Sequence, residues 1–244
     1  MSELLYGRNP VLEALKTKRP INKLLVTEPE GSLKTIVRMA HEAGIPVQKA
    51  GRKSLDQLTG GARHQGVVAY VAAKEYVTVE ELLLEAGRKK EQPLLVALDH
   101  LEDPHNLGAI LRVVDAAGAH GVIITKARSV SLSGTVAKTS AGAVETVPVA
   151  RVANLTQALV QLKENGLWVI GLDGGGQEMI YAVDWKLPTV LVVGAEGKGL
   201  SRLVKETCDL TVRIPMAGQI NSLNASVAAS VALYEAVRQR REQS

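Results

Sequence analysis

The sequence predicts an α/β protein whose larger, C-terminal part is a parallel sheet covered by helices on both faces. Three observations predict it. Five near-continuous apolar runs, "LLVALD" (94–99), "GVIIT" (121–125), "LWVIGLD" (167–173), "TVLVVG" (189–194) and "LTVRI" (210–214), read as strands buried on both sides. Stretches of helical period separate them, and such strand-helix alternation is the mark of a largely parallel sheet. The composition agrees, because 46% of the 244 residues are hydrophobic while Phe is absent, so the core must be built from Val, Leu, Ile and Ala. The length exceeds the usual domain of about 100–150 residues, so two domains are expected.

The first third alternates short elements: a helix over 10–17, a strand over 21–27, a helix over 32–43, a short strand over 46–48, a helix over 54–58 and a strand over 66–73. Residues 1–73 are therefore expected to form a small α/β domain. Residues 74–92 are polar and charge-rich around "EELLLEAGRKKEQ"; although 79–86 can turn a helix, no partner pattern is visible, and the segment is expected to be a linker. Residues 93–244 are expected to be one body, with helices over 106–117, 133–141, 155–164 and 200–207 between the strands. A final helix over 222–242 carries Leu223, Val227, Val231 and Tyr234 on one stripe beside many alanines, which suits close helix approach within the chain or across a dimer. Arg238, Arg240 and Arg241 near its end suit the negative pole of the helix dipole, with capping and solubility as their expected roles.

Charge is unevenly placed. Residues 1–75 hold 12 Lys and Arg against 7 Asp and Glu, whereas 76–244 hold 17 against 18. A basic module on a near-neutral body suggests a polyanion-binding adaptor beside a catalytic domain; a merely solvated basic surface is the competing reading. The single cysteine, Cys208, excludes an intrachain disulfide and a cysteine-rich metal site and is expected in the core. No apolar run approaches the roughly 18–20 residues of a membrane span, and the first ten residues carry no leader pattern. A cytoplasmic protein with no membrane and no metal partner is expected.

Ligands of parallel sheets bind beyond the carboxyl ends of the strands, so three loops attract attention. In "DHLEDPHNLGAILRVVDAAGAHGVII" (99–124), Asn106 is placed to cap a helix that carries Arg112, with both in reach of one sheet edge. An arginine in so apolar a helix either snorkels, pairs with Asp115 or serves a site. In "VVGAEGKGLS" (192–201), glycines at 194, 197 and 199 allow a tight turn after a strand; the spacing fits neither phosphate-binding fingerprint, and Glu196 points to a cationic or hydroxyl-bearing ligand. In "IPMAGQINSLNASVAASVALYE" (214–235), Ser222 fits a helix N-cap and Asn224 can orient a ligand or bind its own backbone. His105 reads as a loop hydrogen-bonder and "DGGGQE" (173–178) as a flexible turn.

Taken together, "N-L-G-A-I-x-R", "G-A-E-G-x-G" and "I-P-M-x-G-x-x-x-S-L-N-x-S-x-A", in this order, resemble the three motifs of the SpoU (TrmH-type) branch of the SPOUT methyltransferases over residues 93–244. "YGRNPVLEAL" and "HQGVVAYV" resemble the extra domain of the subgroup that methylates a guanosine ribose in bacterial large-subunit (23S) ribosomal RNA. The resemblance implies a C-terminal sheet threaded into a deep trefoil knot, an obligate homodimer, and an N-terminal RNA-binding domain akin to a ribosomal-protein fold. It implies S-adenosyl-L-methionine as cofactor, gripped by Gly194, Glu196, Ile214, Met216 and Leu223, and a catalytic site of Asn106, Arg112, Glu196, Ser222 and Asn224. Arg112 matches the family's catalytic arginine; a guanidinium is a poor base, so it is read as a phosphate clamp and a stabiliser of the developing alkoxide, with direct proton abstraction as the alternative. The alternatives are a transfer-RNA 2′-O-ribose methyltransferase or a resistance methylase of the same family, or a non-catalytic RNA-binding assembly factor.

Overall fold

In the computed structural model, which describes residues 2–241, the chain folds as two units. The first holds the chain up to Glu75 together with Ser131–Thr146. Its four-stranded sheet has the order β1-β4-β2-β3. Strand β1 (Ser2–Tyr6) and β2 (Ile21–Val26) flank β4 (Val67–Ala72) antiparallel, and β3 (Val47–Lys49) joins β2 in parallel. The two-residue period of the strands separates two faces. Leu25 and Val68 meet Leu55 of α3 (Arg52–Leu58), while α1 (Arg8–Lys16) and α2 (Ser32–Glu42) bury Val11, Ala14, Leu33 and Ile36.

The short helices α6 (Gly134–Thr139) and α7 (Ala143–Thr146) belong to this first unit, so residues 93–244 are not the unbroken body that the sequence predicts. A buried charge network holds them there. The side chain of Glu145 is wholly buried, and Arg19 Nη1 lies 2.5 Å from its Oε1. Arg19 also reaches Glu3 Oε2 at 3.2 Å and donates to the carbonyl of Ala72, while Lys74 Nζ donates to the carbonyl of Glu145 at 2.8 Å. Burial pulls the pKa of Lys74 below the usual lysine range, and the carboxylate of Glu145 opposes that shift.

The second unit holds Tyr76–Val130 and the chain from Val147 onward. Its seven strands are all parallel, in the order β7-β6-β5-β10-β8-β11-β9. Strands β5 (Leu94–Asp99), β6 (Gly121–Thr125) and β10 (Thr189–Gly194) are buried along their whole length, as strands covered on both faces must be. Toward the edges lie β7 (Val149–Val152), β8 (Trp168–Leu172), β9 (Glu178–Met179) and β11 (Leu210–Arg213). One face carries α4 (Val79–Lys89), α8 (Leu155–Glu164) and α9 (Arg202–Thr207), which bury Leu82, Leu159 and Val204 against Leu95, Ala97 and Val192. Helices α5 (Pro104–Ala117) and α10 (Ala225–Arg241) pack on each other and meet β6 and β10 respectively.

Several expectations change here. The segment 74–92 is no linker, since α4 is capped by a reciprocal Thr78–Glu81 box and sinks Leu82 and Ala86 into the second unit. Strands β1, β7 and β9 were not anticipated from the sequence. The final helix starts at Ala225, after Ser222, and its last expected residue, 242, lies outside the described residues. The core side of α10 is Ala225, Ala229, Ala232, Leu233 and Ala236, whereas Val227 and Tyr234 of the apolar stripe stay 48% and 53% exposed. Arg240 is more than a solubilising tail: its guanidinium donates to the carbonyls of Gln92, Pro93, Trp185 and Leu187 and ties two loops to the helix end. The "DGGGQE" turn is likewise held, by Arg213 donating to the Gly176 and Gln177 carbonyls. Among the described residues no helix is long and apolar enough to cross a membrane, and no group of three His, Cys, Asp or Glu is placed to hold a metal.

Candidate active site

The carboxyl ends of β5, β8, β10 and β11 lie side by side in the sheet, and the loops that follow them enclose two adjoining cavities. After β10 the chain turns back at once. Gly199 N donates to Ala195 O at 2.9 Å, with Gly197 and Gly199 in the left-handed region at φ 72° and 64°. A Cβ on Gly194 would lie 2.2 Å from the carbonyl carbon of Gly199, so only glycine lets the loop return so close. The returning loop is pinned to the neighbouring strand end by Asp99, whose Oδ2 accepts from Ser201 N at 2.6 Å.

The first cavity, about 300 Å³, has apolar walls from Leu172, Val193, Ile214, Met216 and Leu223 and polar groups from Asp173, Glu196, Asn221 and Ser222. The second, about 450 Å³, is lined by Asp99, His100, Asn106 and Arg128 among others. Ala195, Glu196, Lys198 and Gly199 line both, so one loop forms the wall between them.

Asn224 joins the two sides. Its Nδ2 donates to Asn106 Oδ1 at 2.9 Å and, in a short contact, to Glu196 Oε1. Its Oδ1 accepts from Ser226 N at 2.9 Å and Val227 N at 3.3 Å, so Asn224, and not Ser222, caps α10. One primary amide thereby uses both protons on the site and its oxygen on the helix. Asn106 is not a cap either: Asp103 caps α5 by accepting from His105 N, Pro104 follows, and Asn106 is buried in the first turn.

The structure thus gathers Asn106, Gly194, Glu196, Ile214, Met216, Ser222, Leu223 and Asn224 around the two cavities. Arg112 does not join them. It lies six residues beyond Asn106, about 9 Å along the helix axis, on the exposed face of α5, and it lines neither cavity. His105 is exposed and also lines neither. Cys208 is half-buried, and burial pushes its thiol up to about 12, which leaves it without a nucleophilic thiolate at neutral pH. Sequence reasoning missed Asp99, His100, Asp173 and Arg128. The signal for Asp99 was available, because a carboxylate ends the apolar run of β5; His100 owes its place to a backbone conformation that no residue pattern displays.

Comparison with known proteins adds the following. Residues 93–234 match the model of the SpoU rRNA methylase family, and residues 4–77 match the model for RNA 2′-O ribose methyltransferase substrate binding. A putative TrmH family tRNA/rRNA methyltransferase of Bacillus subtilis is 49% identical over 98% of this chain and 96% of its own. The SpoU methyltransferase AviRb of Streptomyces viridochromogenes, solved in complex with AdoMet, superposes with a TM-score of 0.84 at 28% identity, over 99% of this chain and 91% of its own. An AdoMet-bound rRNA methyltransferase of Sinorhizobium meliloti gives 0.79 at 27% identity, over 97% and 87%.

Proposed function

The chain belongs to the SpoU rRNA methylase family, and from that premise we propose that it methylates the ribose 2′-hydroxyl of a guanosine in large-subunit (23S) ribosomal RNA, with S-adenosyl-L-methionine as methyl donor. The observation that carries the reading is the Asn224 bridge. It fixes Asn106 of the second cavity and Glu196 of the dividing loop in one hydrogen-bonded set, so a donor in the first cavity and a nucleotide in the second would meet at a preorganised wall.

The first cavity fits the cofactor. Ile214, Met216 and Leu223 offer aliphatic faces to an adenine, Asn221 and Ser222 offer polar partners to ribose hydroxyls, and the carboxylates of Asp173 and Glu196 suit a cationic ligand. The bound cofactor supplies an electrophilic methyl carbon on a sulfonium. The chain's own groups must then place the attacking oxygen in line and neutralise the charge that develops on it. Arg112, exposed on α5 and outside both cavities, suits a phosphate of the bound RNA and would hold the nucleotide by that clamp.

The same reading includes the trefoil knot, supported by the return of residues 195–199 onto Gly194 and by the approach of residues 214–224 to that loop. It includes a homodimer, supported by the exposed Val227 and Tyr234 on α10, and a cytoplasmic setting. The first unit, which holds the substrate-binding match and the chain's excess positive charge, is the RNA-binding module. The relatives' names mention both tRNA and rRNA; the separate substrate-binding unit favours the larger RNA. Incubation with methyl-labelled cofactor and unmodified large-subunit rRNA, in parallel with bulk tRNA, tests the assignment. Label in the rRNA is expected, and label in the tRNA alone would replace the substrate.

A further inference from the structure

We infer that the RNA strand beside the methylated nucleotide crosses the carboxyl ends of β6 and β7, where Lys126, Arg128 and Arg151 hold its phosphates; the inference rests on the function proposed above. Residues 76–244 are nearly neutral, with 17 Lys and Arg against 18 Asp and Glu. A cluster of cations without carboxylate partners is therefore a local departure from the balance of this part of the chain.

The sheet brings the three together. Ile124 of β6 is in register with Arg151 of β7, and Lys126 N, just past β6, donates to Val152 O at 2.8 Å. The loop that follows is fixed at both ends: Thr125 Oγ1 donates to Ala127 O at 2.7 Å, and Val130 N donates to Leu101 O, in the loop after β5, at 3.0 Å. Arg151 Nη2 donates to the carbonyl of Lys126 at 3.2 Å, and its guanidinium stacks on the ring of Tyr76 at 5.2 Å from the centroid. Its Nε is buried with no hydrogen-bond partner among the described residues. A role as strut between two strand ends accounts for Arg151 in part, but it leaves the charge uncompensated. It gives no task to Lys126 and Arg128, which are exposed and, like Arg151, make no ion pair among the described residues. Unpaired cations side by side, one of them held flat by an aromatic ring, suit a run of phosphates.

The patch is continuous with the site. Arg128 also lines the second cavity, the one the nucleotide would enter. Asp99, Glu102, Asp103 and Glu196 line the same cavity and repel a phosphate, so Arg128 and Lys198 are the cations there that can hold one. A strand leaving the cavity past Arg128 next meets Lys126 and Arg151. Contacts of this kind set the position and register of the strand and leave the choice of base to other groups.

The test measures the affinity for unmodified large-subunit rRNA by filter retention over a range of salt concentrations, with calorimetric cofactor binding and the melting temperature as checks on the fold. Lys126→Gln, Arg128→Gln and Arg151→Gln are each expected to flatten the slope of log affinity against log salt by about 0.7–0.9, the value of one lost phosphate contact. Lys126→Gln with Arg128→Gln, both at exposed positions, is expected to bind the RNA at least about tenfold more weakly with cofactor affinity unchanged. Arg128→Lys keeps the charge and should keep the slope. Arg202→Gln removes an exposed arginine of the same unit that pairs with Glu206 at 2.7 Å, and should leave the slope as it is. Wild-type affinity and slope in the double variant, or an equal flattening in Arg202→Gln, would overturn the inference and leave the proposed function standing. A wild-type protein that binds this RNA yet transfers no methyl group to it would overturn the proposed function, whereas slopes still flattened in the three variants would uphold the phosphate contacts.

Discussion

Asn224 caps α10 with its oxygen and bridges Asn106 to Glu196 with its nitrogen, so one substitution can separate the two duties. Asn224→Ser keeps a capping oxygen but removes the bridging donor; its melting temperature is expected near wild type, with methyl transfer reduced at least about tenfold, the scale of one lost charge-assisted hydrogen bond. Asn224→Ala is expected to lose, in addition, about 1 kcal/mol of stability as an uncapped helix, read by urea denaturation. Gly194→Ala tests the returning loop: the new Cβ meets the backbone of Gly199, and cofactor affinity is expected to collapse in calorimetry. Glu196, Ser222 and Asn224 could be singled out from the sequence as loop residues beyond strand ends, but their joint role came only with the resemblance to the SpoU motifs; the structure brings Glu196 and Asn224 into contact and sets Ser222 on the first cavity. His100 was not legible, since the left-handed backbone that turns it toward Asp99 leaves no trace in residue identity. Arg112 was legible as unusual, and six residues of helix already turn it away from Asn106; its exposure and its absence from both cavities show only in the structure.

At the scale of elements, the charged surface of 74–92 masked a buried helix. The Thr78–Glu81 capping box was present in the sequence, but "GRKKEQ" beyond it dominated the pattern. Leu82→Ala is expected to cost about 2–5 kcal/mol, the range for a large-to-small change in a packed core, where a linker residue would cost nothing measurable; chemical denaturation decides. The Arg19–Glu145 pair makes the matching point for 131–146. Arg19→Met leaves a wholly buried carboxylate without its guanidinium and is expected to destabilise the protein by about 3–5 kcal/mol, while Arg19→Met with Glu145→Leu should recover much of that loss. His120 supplies a pH dependence. Its Nδ1 accepts from Leu94 N and its Nε2 meets Glu91, and burial lowers its pKa, so the folded state disfavours the charged ring. Stability from this group is present above the unfolded histidine value of about 6.5 and is lost as pH falls below it toward the lowered folded value. Denaturation midpoints measured at pH 7.5 and 5.5 should differ less in His120→Gln than in the wild type.

For the whole molecule, the parallel sheet with helices on both faces could be read from its apolar runs, because strands buried on both sides have no polar face to obscure them. The division into units could not, since Ser131–Thr146 enters the first unit through contacts made by residues far apart in sequence. The exposed Val227 and Tyr234 belong to this scale too. Val227→Glu with Tyr234→Glu is expected to halve the mass in sedimentation equilibrium; an unchanged mass would contradict a dimer contact at that strip. The most direct test of the central claim is nucleoside mass spectrometry of large-subunit rRNA treated with the protein and S-adenosylmethionine. The expected product is a guanosine whose added 14 mass units remain on the sugar after loss of the base, as a 2′-O-methyl ribose requires. A methyl group found on a base would contradict the claim, because it would place the wrong atom of the nucleotide at the wall between the two cavities.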